Sequence, residues 1–299
     1  MWIIFALAAY IIFAAATITD KYLLAKPIPD ARVYAFYTGV LGLFVLVFAP
    51  FGFSVPSVPV IFFGIFAGGL FIAALYLFFA ALKMGEVSRV GISLGGLTPL
   101  FTLGLTYIGT GELPERGEFF AFIFLIIGSL IVAFDQYERI INNAKIIGLI
   151  IASSFLFGLY FTIAKFLFSA QPFVSAFIWI KLGGALFALL FLAYPQARKI
   201  IFDRKKSPSK QSGGIFVVKN AGGGVAALFL HLAVSMARVG EVAIVNALQG
   251  AQFTLVFLGA IFLSKRFPGV VQEKIDREAI IVKSVGTGLI VLGIVALAL

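Results

Sequence analysis

The chain has 299 residues, 62% of them hydrophobic and only 12% charged, with 23 Lys and Arg against 13 Asp and Glu for a formal charge of +10. A soluble fold of this length cannot hide so much apolar surface, so the composition excludes disorder and points to a bilayer as solvent. Zero cysteines exclude a disulfide scaffold, a thiol enzyme and a Cys-ligated metal site, and basic residues that punctuate apolar runs exclude a nucleic-acid-binding domain.

A spanning helix needs about 20 mainly apolar residues. In chain order, such runs predict ten helices at 2–20, 33–52, 58–82, 87–109, 117–135, 146–166, 173–194, 215–236, 240–263 and 279–298. The first reads as an uncleaved helix, because no Lys or Arg precedes Trp2 to form the basic region of a signal peptide. Charges and prolines fill the linkers, from Lys21 to Arg32, Pro56 to Pro59, Glu112 to Glu118 and Asp135 to Lys145. The stretch Phe202 to Gly214, polar, basic and rich in Gly, Ser and Pro, has the composition of a flexible linker.

The chain repeats itself. Lys83-Met84-Gly85-Glu86-Val87 returns as Arg238-Val239-Gly240-Glu241-Val242 at an offset of 155, and Lys21 pairs with Lys165, and Gly39 with Gly183, at 144. The 11-residue difference falls in the basic loop after the seventh helix. Residues 1–140 and 141–299 are therefore two five-helix repeats. An odd number of spans forces the second copy to be inverted, as in many secondary transporters. Of the 23 Lys and Arg, 19 lie in or beside the loops on one side and only Arg116, Lys165 and Arg238 on the other. The positive-inside rule places the basic loops in the cytoplasm and both termini outside. The predicted class is an all-α integral membrane protein of the cell membrane, with ten transmembrane helices in two inverted repeats.

Ala80-Ala81-Leu82-Lys83-Met84-Gly85-Glu86-Val87, Pro99, Gly111-Glu112-Leu113 and Gly128 together resemble an EamA domain, and the stretch from Ser235 through Gly240 to Gly293 resembles a second. The chain is thus similar to the drug/metabolite transporter superfamily. That resemblance implies a carrier with a central cavity between the repeats. The sequence departs from the pattern where Thr254 replaces a second helix-four proline and where Ser264-Lys265-Arg266 replaces the glutamate.

Lys181 is the sharpest candidate. It lies about 3 Å from the middle of its helix at 1.5 Å per residue, and a lysine at that depth costs roughly 2.5–3.5 kcal/mol to insert. It shares a face with Phe177, Gly184, Ala185 and Ala188. Its ammonium is expected to attract an anionic group in the cavity or to change protonation during transport, against the alternative of a structural bond to backbone carbonyls. His231, the only histidine, is read either as a substrate or proton-exchange group or as a buried imidazole held by Ser235 or a carbonyl, with Tyr76 at the equivalent position of the first repeat. Asn246, Gln249 and Gln252 recur at spacing three and form one amide stripe that faces substrate or a neighbouring helix. Tyr37 and Trp179 complete the candidate substrate-binding set, each equally readable as helix packing. Gly64 and Gly68 form a GxxxG, which predicts a close helix contact.

No phosphate-binding glycine loop and no His/Asp/Glu cluster is present, so neither nucleotide-driven pumping nor intramembrane enzymology has a motif, and no cofactor or metal is expected. All 13 acidic residues fall at predicted helix ends or in loops. A cation–proton exchanger built on a buried carboxylate is therefore not expected. The expected activity is secondary transport of a small polar, anionic or zwitterionic metabolite by alternating access, the alternatives being a passive pore or a lipid-linked flippase. The expected partners are that metabolite and the bilayer, with no nucleic acid, and the oligomeric state is left open.

Overall fold

The structure is a computed structural model that describes residues 1–25, 30–85, 87–134, 143–202, 210–266 and 277–298. Every regular element among them is helical: α1 (Trp2–Ala25), α2 (Ala31–Leu41) running into a 3₁₀ segment (Gly42–Phe51), α3 (Val58–Met84), α4 (Val87–Thr110), α5 (Arg116–Phe134), α6 (Ala144–Ala170), α7 (Phe173–Leu189) with a 3₁₀ turn (Leu190–Ala193), α8 (Pro195–Phe202), α9 (Lys210–Met236), α10 (Val242–Ala247), α11 (Gln249–Arg266) and α12 (Arg277–Ala298). Seven described segments are long and apolar enough to cross a membrane. Large apolar side chains such as Ile4, Phe62, Phe63, Ile108 and Val291 face outward, as lipid-facing surfaces do. The chain is a helical, multi-pass membrane protein. Residues 203–209 of the basic linker, together with 26–29, 86, 135–142 and 267–276, lie outside the described residues.

Local chemistry sets the helix ends. Asp30 caps α2 by accepting from the Arg32 amide at 2.8 Å, and Asn143 caps α6 by accepting from the Ile146 amide at 3.3 Å. Pro59 sits in the first turn of α3, where its missing N–H is harmless. Gly52 and Gly111 follow helical segments at φ +116° and +73°, the left-handed stop that glycine adopts without a Cβ penalty.

Packing then selects partners. α3 lies against α6 and α7, α1 against α9 and α11, α4 against α5, α6 and α10, and α5 against α12. In lipid these contacts rest on close van der Waals fit rather than on the hydrophobic effect, which is why glycines mark them. A Cβ on Gly128 would strike Ile290 and the Gly286 carbonyl, and one on Gly293 would strike Leu125. The predicted GxxxG of α3 makes the contact expected of it: Gly64 abuts Trp179, and Gly68 abuts the backbone of Ile180, Gly183 and Gly184 in α7.

Candidate site in the central cavity

Between α1, α2, α3, α7, α9 and α11 lies a cavity of about 420 Å³. Phenylalanine and small aliphatic side chains make most of its wall, and the polar groups stand in two places.

Lys181 occupies the first. Its ammonium lies 4.9 Å from the centre of the Phe71 ring and 5.2 Å from that of Phe177, and a cation over such faces gains about 0.5–2 kcal/mol. Among the described residues it makes no hydrogen bond and no ion pair. Gly42 leaves room beside it, since a Cβ there would stand 3.7 Å from the Lys181 Cδ.

The structure brings three of the eight sequence-predicted residues to the cavity wall: Lys181, Gln249 and Gln252. Gln252 donates from Nε2 to the Thr17 hydroxyl at 2.9 Å, while its Oε1 and the nearby Thr98 hydroxyl find no protein partner. Asn246 stands apart from these two. The helix turns at Leu248, so Asn246 belongs to α10 and donates to the Thr102 hydroxyl at 2.9 Å instead of continuing the amide stripe.

The other four predicted residues are engaged elsewhere. His231 is buried, its Nδ1 facing the Ala227 carbonyl and its Nε2 the Tyr160 hydroxyl, with Phe168 and Phe177 around the ring. Ser235 turns away from it to the Leu232 carbonyl at 2.8 Å. Tyr76 packs on Phe191 with ring centres 5.4 Å apart. Trp179 packs on Phe53 and donates to the Ser54 carbonyl at 3.4 Å. Tyr37 packs on Phe36 and Phe216.

The second polar place corrects the sequence reading. Helix α1 continues to Ala25, so Asp20 lies inside it rather than at its end, and it is only 7% exposed. Its carboxylate accepts from the Tyr34 hydroxyl of α2 and pairs with the Lys219 ammonium of α9 at 2.5 Å. Lys219 also reaches the Tyr34 hydroxyl at 3.4 Å and lies over the Tyr34 and Phe216 rings at 5.0 and 5.6 Å. Asp20, Lys219 and the adjoining Asn220 all line the cavity. The expectation of no buried carboxylate, which counted against a cation–proton exchanger, does not hold for Asp20.

Beyond α9, Arg238 reaches Glu115, Glu118 at 2.6 Å and Glu241 at 3.1 Å, tying the α4–α5 loop to the α9–α10 loop. The hydrogen bond to Glu115, then that to Glu241, raises the Arg238 guanidinium above its usual range. Burial alone raises the Glu241 carboxyl, but hydrogen bonds from the Arg238 backbone, Glu118 and the Arg238 side chain outweigh it and leave Glu241 below the usual range. The side boundary between the 3₁₀ segment and α9 is open. Phe44, Val217 and Val225 line the cavity and are also 75%, 51% and 47% exposed, so the cavity reaches the lipid-facing surface there. Tyr37 against Phe216 at 6.0 Å closes one end of that gap, and Leu228 against the Val45, Phe177 and Ile178 cluster closes the other.

No family model matches the chain, and no curated protein matches it. Nineteen chains of solved structures do. One, described only as "Crystal structure of protein", superposes with a TM-score of 0.65 at 18% identity, covering 99% of this chain and 94% of that one. At that identity the likeness concerns the fold: the helices follow one another, over almost the full length, as they do in that structure.

Proposed function

We propose that the chain is a secondary carrier of the EamA type in the drug/metabolite transporter superfamily. It resides in the cell membrane and moves a small polar or anionic metabolite by alternating access. In this reading the ten spans are α1, α2 with its 3₁₀ extension, α3, α4, α5, α6, α7, α9, α10 with α11, and α12. They form two inverted repeats of five.

The pattern of neighbours supports the duplication. An inverted pseudo-twofold turns the α3–α6 contact into α1–α9, turns α4–α6 into α1–α11, and leaves α5–α12 paired with itself, and all of these contacts exist.

The observation that carries the function is the cavity of about 420 Å³ with the Lys181 ammonium on its wall and, among the described residues, no ion-pair partner for it. A buried ammonium at mid-depth in a helix is expensive in lipid, and an anionic substrate offsets that expense when it binds. The Gln252 carbonyl and Thr98 hydroxyl add hydrogen-bond capacity for the remainder of a polar solute.

The reading is tested by a thermal-shift screen of the purified protein against a metabolite library, followed by counterflow of each hit in proteoliposomes. A ligand that binds only the folded state at about 100 times its Kd stabilises it by about 2.7 kcal/mol. Counterflow separates a carrier from a pore, because only a carrier exchanges label against a gradient. Lys181→Met is expected to keep the fold and reduce transport at least about tenfold, the loss of some 1.4 kcal/mol. Lys181→Arg rescues it in part at best, because a planar fork does not replace a compact charge. Full transport by Lys181→Met moves the binding site to Gln249 and Gln252.

A second reading draws on the lateral gap beside Phe44 and Val225, which is the path a lipid-linked substrate needs. A flippase moves a lipid-linked reporter between leaflets and shows no counterflow of soluble hits.

A further inference from the structure

We infer that Asp20, Lys219 and Tyr34 form the site of a coupled proton, so that the carrier moves its anionic substrate together with H⁺. This rests on the carrier reading above and adds a co-substrate to it.

Asp20 is the one carboxylate on the cavity wall among the described residues. It lines the same space as Lys181 and Lys219, so among the described residues two ammoniums and one carboxylate leave the wall at a net charge of +1. Lys219 is held by Asp20 and is not free to bind an anion, while Lys181 has no ion-pair partner among the described residues. When Asp20 takes a proton from the aqueous phase, its pairing with Lys219 weakens and the wall rises to +2. An anion then meets two ammoniums instead of one. When the anion leaves, Lys219 returns to Asp20 and the proton is expelled. No covalent bond other than O–H forms or breaks.

The groups around Asp20 suit this exchange. Tyr34 from α2 donates to it and Lys219 from α9 pairs with it. One turn earlier on α1, Thr17 faces the cavity and receives Gln252 from α11, which has no titratable group. Phe79 of α3 stacks edge-on to Tyr34 at 4.6 Å and keeps that side dry. Asp20 belongs to the first half of the chain and Lys219 to the second, so the pair spans the two units whose relative movement alternating access requires. An intramembrane carboxylate with a named cationic partner is the usual form of a proton relay in transporters.

The test uses the full chain in proteoliposomes with a trapped pH-sensitive dye, and two membrane-impermeant probes, gluconate and inorganic phosphate, to separate carboxylate from phosphate recognition. For wild type, anion addition is expected to acidify the lumen, and anion affinity is expected to rise by up to about tenfold for each unit fall in pH, the limit for one coupled proton. Asp20→Asn abolishes both the acidification and the pH slope. Lys219→Gln lowers anion affinity at low pH. If Asp20→Asn fails to fold, Asp20→Asn/Lys219→Gln removes both charges together and carries the same expectation. Counterflow of either anion without acidification, or acidification that survives Asp20→Asn, overturns the proton site while leaving the carrier reading intact. Absence of counterflow for both probes counts against the anion carrier itself, and the proton site falls with it.

Discussion

The α3–α7 seam and the α9–α2 gap use the same residue type to opposite ends. In the seam, Gly68 lets the α3 backbone touch the backbones of Ile180, Gly183 and Gly184, and a Cβ on Gly69 would stand 3.2 Å from the Phe187 ring. In the gap, Gly223 and Gly224 stand 155 positions after Gly68 and Gly69, yet a Cβ on either meets nothing within 4 Å. Glycine inside a helix costs about 1 kcal/mol relative to alanine. The seam recovers that in contact, and the gap, in this conformation, does not. In the two-repeat reading these are equivalent interfaces, one shut and one open, which is the asymmetry that alternating access requires. On the proposed two-repeat carrier reading, the small residues of the gap mark an interface that closes in the other half of the cycle.

Substitutions on the two sides should therefore diverge, and the largest effect belongs to the seam. Gly68→Ala drives a methyl into the α7 backbone at Ile180, Gly183 and Gly184, which cannot yield. Overpacking of this kind costs about 1–3 kcal/mol or more, seen as a lower thermal midpoint of the purified protein. If Gly68→Ala melts with wild type, the seam is not tight. Gly224→Trp on the open side should fit without a clash and leave the melting point near wild type, while blocking the gap. Its expected signature is at least about a tenfold loss of transport, worth 1.4 kcal/mol. A smaller effect of opposite sign is expected for Gly223→Ala, which gains up to about 1 kcal/mol of helix propensity in the open state and so raises the melting point. Smallest is Arg238→Gln at the far end, where the cluster is half exposed, so the loss stays below about 1 kcal/mol and shrinks with added salt. Because Glu241 is held below its usual range, its contribution is present at neutral pH and disappears as pH falls through its folded value. Arg238→Gln should therefore differ most from wild type at neutral pH and converge with it in acid.

Much of the fold was legible in the sequence because lipid imposes a simple rule. Seven described segments long and apolar enough to span a membrane are helical, the run predicted at 240–263 is divided at Leu248, the GxxxG became a contact, and Lys181 reached the cavity because a charge at that depth cannot face lipid. The Asp20 site was not legible, for two reasons. The predicted span ends at Asp20, so the acid reads as a helix end, while the helix in fact runs to Ala25. Its partner Lys219 lies on a distant helix and looked like a member of the basic loop before it. The signal that finds them is a pair: an acid at the end of one predicted span and a base just inside another. The amide stripe failed for a different reason. Spacing of three presumes one continuous helix, and the turn at Leu248 breaks it. His231 and Tyr160 illustrate a third: each polar group of one can be satisfied by the other, and only the fold reveals that they meet.

The central claim is that the α9–α2 gap and the α3–α7 seam are exchanging partners of one carrier cycle. With no native cysteine, spin labels placed by cysteine substitution report only the chosen positions. Labels at Phe44 and Val225 span the gap, and labels at Phe66 and Leu186, both on the exposed surface of α3 and α7, span the seam. Inter-label distances in lipid nanodiscs should show two populations for each pair. The gap pair should have a second, shorter distance and the seam pair a second, longer one, in matching proportions. A single distance for the seam pair under every condition, with the gap pair moving or not, would contradict the account.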